Sequence, residues 1–226
     1  MAYPTVSAPY GLRPVNLIGG QVYAGSTRLI KIASGYNTDI FYGDIVKLVS
    51  TGTAEKDTGT TTATPVGIFL GCTYTNPTTK QKLQAQYYPA NTVASDTYAY
   101  VVDDPDILFK VAAVSGTTVV AFYSQSTVGL NAPLVQNAGS TTTGDSAIAI
   151  NGASAAVTAT LPIRVIDVVP DTANAGGSFC EFICKFNAPH VVSTATSTLN
   201  TSTNVVTTTV TSTVTGGHQY LNPVGV

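Results

Sequence analysis

Apolar and polar residues alternate over short stretches along most of the chain, a pattern typical of half-buried β-strands. In RLIKIA (28–33), Leu29 and Lys31 alternate with Ile30 and Ile32. VGIFLGCTY (66–74) is instead a nearly continuous apolar run, which predicts a strand buried on both faces. Further strands are predicted at 43–50, 98–102, 107–114, 118–123, 161–169 and 179–186.

The polar stretches between these strands predict turns and loops. Residues 51–65 are rich in turn-forming residues and predict a loop or the tip of a hairpin. KQKLQAQYY (80–88) alternates as a half-exposed strand would, although a short helix is an open alternative. Because short strands recur with Gly-, Ser- and Thr-rich punctuation, we expect an all-β fold with a β-barrel or β-sandwich body and little helix.

The two ends of the chain differ from this body. Residues 1–19 carry three prolines and are followed by a glycine, so they predict an extended N-terminal arm, with the body at 20–186. Residues 187–226 contain no Asp, Glu, Lys or Arg and predict a Thr/Val-rich C-terminal arm. Within it, VVTTTVTSTV (205–214) has the high β-propensity and low charge of a strand that needs a mate. That mate is either the protein's own domain or another subunit.

Composition supports the strand-rich interpretation and narrows the choice of partners. The chain has 226 residues, 36 of them Thr and 27 Val, and β-branched side chains favour strands over helices. Only 10% of residues are charged and the net charge is −2, with no cluster of cations to contact nucleic-acid phosphates. We therefore expect no nucleic-acid partner. So few charges suit a protein whose surface is largely occupied by neighbours.

The chain shows no targeting segment, and its cysteines indicate a reducing compartment. It has no apolar run of about 18 residues, so no membrane span is expected, and its start lacks the pattern of a secretory signal. Three cysteines, Cys72, Cys180 and Cys184, are an odd number, which favours synthesis in a reducing cytosol. In FCEFICKF (179–186), Cys180 and Cys184 share a face with Phe182 and Phe186, as core residues would.

The sequence carries no pattern that indicates catalysis, a metal or a cofactor. His190 and His218 are the only histidines, and no G-x-S-x-G motif presents a serine nucleophile. Cys180, Cys184 and His190 are one ligand short of a structural zinc site and badly spaced for one. The glycine pairs lack the residues that complete a phosphate-binding loop. We therefore expect a protein that is not an enzyme and that needs no cofactor.

The acidic stretch YAYVVDDPDILFKVAAV (98–114) contains three carboxylates that could form a metal or acid–base site or only a charged turn. Pro105 breaks the alternation that a calcium loop requires, and no glutamate follows until Glu181. Asp and Pro initiate turns, and a residue before proline is biased to an extended backbone. We therefore interpret Asp103, Asp104, Pro105 and Asp106 as a structural turn between two strands. A cation site, a subunit contact and catalysis are the less favoured alternatives.

Several segments, taken in order, resemble the head decoration (capsid cement) proteins of tailed phages, especially marine and cyanobacterial ones. The resemblance covers most of residues 8–186 and the C-terminus, while the Thr-rich stretch 193–215 is longer than such a protein leads us to expect. The matching segments are APYGLRPVNLIGG (8–20), FYGDIVKL (41–48), TPVGIFLGCTYTNP (64–77), QYYPA (86–90), AYVVDDPDILFKV (99–111), STVGLNAPL (126–134), LPIRVIDVV (161–169) and HQYLNPVGV (218–226).

The resemblance implies a β-rich virion protein, made in the host cytoplasm, that binds the exterior of an icosahedral capsid and stabilises it. Its implied partners are the major capsid protein and copies of itself, often as a homotrimer. The family has no catalytic residues to transfer. We expect the two arms to carry the capsid and subunit contacts, through Tyr3, Tyr10, Leu12, Arg13, Val206, Val210, Val214, His218 and Tyr220.

Two other classes of structural protein remain as alternatives. A trimeric tail-fibre or host-binding adhesin component also suits a low-charge, Thr-rich β segment. The major shell protein itself is less favoured, because nothing in the chain has the sustained 3.6-residue period of a long helix.

Overall fold

The computed structural model describes residues 6–173, 179–188, 190–200, 202–203, 205–215 and 217–221. Over these residues the protein is nearly all β, which confirms the predicted fold class. Helix is limited there to one turn, α1 (Pro170–Ala173), and to short 3₁₀ segments. The sixteen strands of the described residues are, in chain order, β1 (Arg13–Leu17), β2 (Arg28–Lys31), β3 (Ile45–Leu48), β4 (Ala54–Lys56), β5 (Gly67–Thr75), β6 (Lys82–Ala85), β7 (Tyr98–Val102), β8 (Ile107–Ser115), β9 (Val119–Val120), β10 (Asn131–Ala132), β11 (Leu134–Val135), β12 (Ala149–Asn151), β13 (Ile163–Val168), β14 (Cys180–Phe186), β15 (His190–Asn200) and β16 (Val205–Thr215).

Eight strands form a sheet that curls into a nearly closed barrel. Its order is β10-β13-β14-β8-β12-β11, and β1 and β9 also pair with β8. The two ends of this path, β10 and β11, are consecutive in the chain with only Pro133 between them. One extended segment therefore pairs with β13 on one side and with β12 on the other, and this double pairing brings the ends of the sheet together.

A second sheet of six strands lies earlier in the chain. Its order is β2-β7-β5-β3-β4, with β6 paired to the far part of β5. An isolated parallel bridge between Ile32 and Ala54 links the ends of this path, so the second sheet also curls round on itself. The β7–β8 connection, residues 103–106, carries the chain from this sheet to the eight-stranded one.

The larger hydrophobic core joins the two sheets. It contains Phe109, Phe182 and Phe186 from the eight-stranded sheet together with Ile45 and Ile68 from the six-stranded one. The Phe109 and Phe186 rings lie 4.9 Å apart, within the range of favourable aromatic pairs. The described residues also show Cys180 and Cys184 fully buried in this core, as the shared face of FCEFICKF predicts.

Most predicted strands are present with bounds shifted by one to three residues. β7 spans 98–102 as predicted, and 80–88 contains a strand, β6, rather than the alternative helix. The predicted strand at 118–123 is reduced to the two residues of β9. The predicted loop at 51–65 contains the short strand β4, because Ala54 to Lys56 pair with β3.

The predicted N-terminal arm contributes a strand to the body. β1 pairs antiparallel with β8, and the Leu12 N–H donates to the Gly43 carbonyl at 2.9 Å. Gly11 has φ +78°, and a Cβ there would lie 2.6 Å from the Ser146 Cβ, so a glycine is needed for this close approach.

None of the helices among the described residues has the length and apolar character needed to cross a membrane.

A buried ion pair lies where β3 begins. Asp44 is fully buried, its Oδ2 lies 2.7 Å from the Lys56 Nζ, and the same oxygen accepts a hydrogen bond from the Phe41 N–H. Removal of one partner from such a pair leaves an uncompensated charge in a medium of low dielectric constant.

We predict that Lys56→Met lowers the free energy of unfolding by about 3 kcal/mol, because it leaves the Asp44 carboxylate buried without its cation. Urea unfolding measures the change. The control is Lys82→Met, which breaks the exposed Lys82–Asp96 pair at 2.8 Å and should cost less than about 1 kcal/mol. Equal losses in the two variants would show that burial of Asp44 does not set the cost.

Candidate assembly surfaces

The C-terminal arm is built around a long two-stranded hairpin. β15 and β16 pair antiparallel over eleven residues each, from His190 opposite Thr215 to Asn200 opposite Val205, without a register shift. At about 3.4 Å per residue the hairpin is about 37 Å long. At its tip the Asn200 side chain accepts hydrogen bonds from the Ser202 and Thr203 N–H groups at 3.0 and 3.2 Å. The strand predicted at 205–214 thus pairs with the preceding segment of its own chain.

The described side chains of this hairpin are exposed and uncharged. Val206 and Val210 are 59% and 62% exposed and lie on the same face of β16. Thr196 and Thr198 lie opposite Thr209 and Thr207, and the Ser197 and Thr208 hydroxyls lie 3.1 Å apart. A two-stranded hairpin by itself is only marginally stable in water, so a further partner strand would increase the stability of this segment.

The residues after the hairpin return to the body and dock there. The Gln219 N–H donates to the Pro65 carbonyl, and its side-chain amide both donates to the Leu48 carbonyl and accepts from the Leu48 N–H. His218 is fully buried, with its ring 5.8 Å from that of Phe186. The base of the hairpin is therefore anchored to the body on both sides, by β14 before β15 and by this docked segment after β16.

Burial determines the protonation of His218. Desolvation lowers the pKa of this imidazole to about 4, against smaller opposing effects of the Asp104 carboxylate and the Asp103 backbone. The folded protein therefore holds His218 neutral, and its side chain is not at the surface where a capsid contact was predicted. Tyr220, in contrast, is 42% exposed, and the Arg28 guanidinium lies 4.7 Å from the centre of its ring.

The N-terminal contact residues divide in the same way. Leu12 is fully buried in the larger core, so its side chain is not available for a surface contact. Arg13 pairs with Asp145 at 2.7 Å and lies 4.1 Å above the Tyr42 ring, so it holds β1 against two loops. Tyr3 lies outside the described residues.

Tyr10 closes a polar cluster that the sequence did not indicate. Its hydroxyl donates to the Glu181 Oε1 at 2.5 Å, and the Lys110 Nζ lies 3.1 Å from the same oxygen. Burial and the neighbouring Glu181 raise the pKa of Tyr10 well above its usual range, so the phenol stays a neutral donor. The available signal was a lone glutamate in the apolar strand FCEFICKF, a position that requires a partner.

The acidic stretch forms the turn between β7 and β8. The Asp104 carboxylate accepts a hydrogen bond from the Asp106 N–H at 2.8 Å, and Pro105 lies between them. Asp103 pairs with Arg28, and Asp106 pairs with Lys185 at 3.1 Å. Two of the three carboxylates thus pair with different cations and the third accepts from the backbone of the turn, so they do not share a common centre.

The described residues show neither a group of metal ligands nor an activated cysteine. They contain no group of three or more His, Cys, Asp and Glu side chains placed to hold a metal. Cys72, Cys180 and Cys184 are free and buried. Burial raises the pKa of Cys72 to about 12 and that of Cys184 well above its usual range, so neither thiol is an activated nucleophile.

Comparison with known proteins provides no relative from which to transfer a role. No protein-family model, curated protein or solved structure matches the chain.

We predict that Tyr10→Phe lowers the free energy of unfolding by about 2 kcal/mol, because the buried Glu181 carboxylate loses a hydrogen-bond donor. Chemical denaturation measures the loss. Tyr23→Phe is the matched control, since the Tyr23 hydroxyl donates to the Ser26 carbonyl at 3.1 Å in a solvent-exposed hydrogen bond. A loss no larger than that of the control would contradict a structural role for the Tyr10 hydroxyl.

We also predict that His218 makes the protein less stable as the pH falls. Between its usual pKa of 6.5 and about 4, the unfolded chain binds a proton at His218 and the folded protein does not. Stability therefore decreases by up to roughly 3 kcal/mol from about pH 7 to about pH 4 through this group. Urea unfolding across this range should show a flatter pH profile for His218→Leu than for the parent protein.

A surface variant that leaves His218 in place provides the control for this measurement. Val157→Thr changes an 87% exposed valine that does not titrate, so it should keep the pH profile of the parent protein. Parallel profiles for His218→Leu and the parent would contradict the burial of a neutral imidazole at this position.

Proposed function

We propose that this protein is a virion structural protein that binds the outer surface of an icosahedral phage capsid and stabilises it, as a decoration or cement protein. The proposal is supported by the segments that resemble this family and occur in the expected order along the chain. So does the low charge of the chain, which suits a protein whose surface is covered by neighbours. The site of action is then the capsid exterior, after synthesis in the host cytoplasm.

The observation that carries the proposal is the β15–β16 hairpin. It is long, uncharged and exposed at Val206 and Val210, and within the described residues no third strand pairs with it. A free edge of this kind is an adhesive surface, which soluble proteins normally protect with charges, prolines or bulges. Its exposure favours a role in assembly over a role in solution.

The mechanism we propose is mechanical. The partners are the major capsid protein and further copies of this chain, as in the predicted homotrimer, and no catalytic step is involved. Each contact of a hairpin is small, but many copies on one shell make many contacts at once. Multivalency then multiplies weak individual affinities and holds neighbouring capsomers together.

Among the predicted contact residues, exposure favours a subset for this role. Val206, Val210 and Tyr220 present their side chains to solvent and are the ones that we propose for contacts. Tyr10 and Arg13 are engaged in their own subunit, with Glu181 and Asp145. They were predicted as capsid contacts, and we propose instead that they position the N-terminal segment.

We predict that excision of the hairpin lowers capsid occupancy about tenfold or more, because it removes the multivalent contacts. Residues 192–213 are replaced by Asn-Gly, since Val191 and Val214 lie opposite each other and a two-residue turn can join them. Co-sedimentation with empty shells of the corresponding major capsid protein measures the occupancy.

Two controls accompany this variant. Its thermal unfolding should match that of the parent protein, which shows that the body remains folded. Val157→Thr changes an 87% exposed valine of the body and should leave occupancy unchanged. Undiminished binding of the excised variant would refute the hairpin as the capsid-binding element, and hairpin-dependent binding to host cells but not to shells would favour an adhesin instead.

A further inference from the structure

The sequence of β16 reads nearly the same in both directions from its central residue, Val210. Residues at equal distances from Val210 are of the same kind: Val206 with Val214, Thr207 with Thr213, Thr208 with Ser212, and Thr209 with Thr211. In two identical antiparallel strands related by a two-fold axis, residues at equal distances from the axis lie opposite each other. β16 is therefore complementary to a second copy of itself.

The outer edge of β16 is open for such pairing. One edge is paired with β15 over all eleven residues, and the described residues place no strand on the other. The register has no bulge, and 205–215 contains neither a charge nor a proline. These are the devices by which natural sheets prevent edge-to-edge association, so their absence from this strand leaves its edge competent to pair.

A second β16 matches this edge better than any other described strand of the chain. β5 and β8 are the longest strands of the body, with nine residues each, and both are already paired on both sides. The edge strand β2 has four residues and carries Arg28 and Lys31. Only the hairpin strands offer eleven uncharged residues, and β16 has the higher β-propensity because ten of its eleven residues are Val or Thr.

The exposed valines indicate where the axis lies. Val206 and Val210 are four positions apart and thus on the same face of β16. A two-fold axis at Val210 places the two Val210 residues opposite each other and Val206 opposite Val214 of the second copy. Three pairs of valine positions then lie across the joint, with Thr208 opposite Ser212 between them, and cross-strand pairs of β-branched residues stabilise a sheet.

We propose that the outer edge of β16 pairs antiparallel with β16 of a second copy about a two-fold axis at Val210, which makes a four-stranded sheet. This joint goes beyond the proposed function, because it forms between copies of the chain without a shell. It links subunits in pairs, so the predicted homotrimer would use a further interface on the body.

Disulfide formation in the full-length chain tests the register. With the axis at Val210, the two Val210 Cα atoms lie about 5 Å apart, which a disulfide can span. The two Val206 positions are then roughly 27 Å apart along the strands and cannot be joined. We expect Val210→Cys to give a disulfide-linked dimer under mild oxidation, and Val206→Cys to give at least about tenfold less.

Val206→Cys is a matched control, since the two valines lie in the same strand with nearly equal exposure. Cys72, Cys180 and Cys184 are buried and contribute little background. Equal cross-linking at 206 and 210 would overturn the proposed register, as would cross-linking at 206 alone.

Sedimentation velocity tests the joint without cross-linking. We expect a concentration-dependent dimer of the parent protein and a roughly tenfold weaker one for Val210→Lys, in which two like charges meet at the axis. Unchanged thermal unfolding of the body shows that this variant is folded. A parent protein that stays monomeric, or that forms open-ended polymers, would overturn the two-fold joint. Hairpin-dependent shell binding by such a monomer would leave the proposed function intact.

Discussion

The structure depends above all on how its strand edges are satisfied. Each edge of a β-sheet presents a row of N–H and C=O groups that need hydrogen-bond partners. In the body, both sheets meet this need by curling round, one through the segment that contains Pro133 and the other through the Ile32–Ala54 bridge. The hairpin does not curl, and among the described residues no strand of the body pairs with its outer edges. The protein thus combines a body with protected edges and an appendage with open ones.

Two buried carboxylates fix joints within the body. Asp44 pairs with Lys56 at the start of β3, and Glu181 holds both Lys110 and Tyr10. A buried charge with its partner specifies one arrangement, because the unpaired alternative is costly. The hairpin strands have no such charges, so their pairing is decided by backbone hydrogen bonds and by the fit of Val and Thr side chains.

Burial redistributes the contact residues that the sequence suggests. Position in the chain suggests Leu12 and His218 as contact residues as readily as Val206 and Val210, since all four lie in segments near the chain ends. The structure buries the first two completely and exposes the last two. The difference arises because Leu12 and His218 pack on core residues from distant parts of the chain. Such contacts have no signature in local sequence.

The sequence by itself determined the all-β class, strands such as β7 and β14, the turn at Asp103–Asp106 and the neutrality of the C-terminal arm. These follow from local physics, namely the two-residue period of strands, β-branched propensity and turn chemistry. Only the tertiary structure decided the strands of two or three residues, β10 to β12, which are too short to show a period, and the closure of the sheets. It also decided that β16 pairs with β15, because Val and Thr side chains suit either mate that the sequence left open. Glu181 faces Tyr10 because the path of the whole chain brings together two residues that are far apart in the sequence.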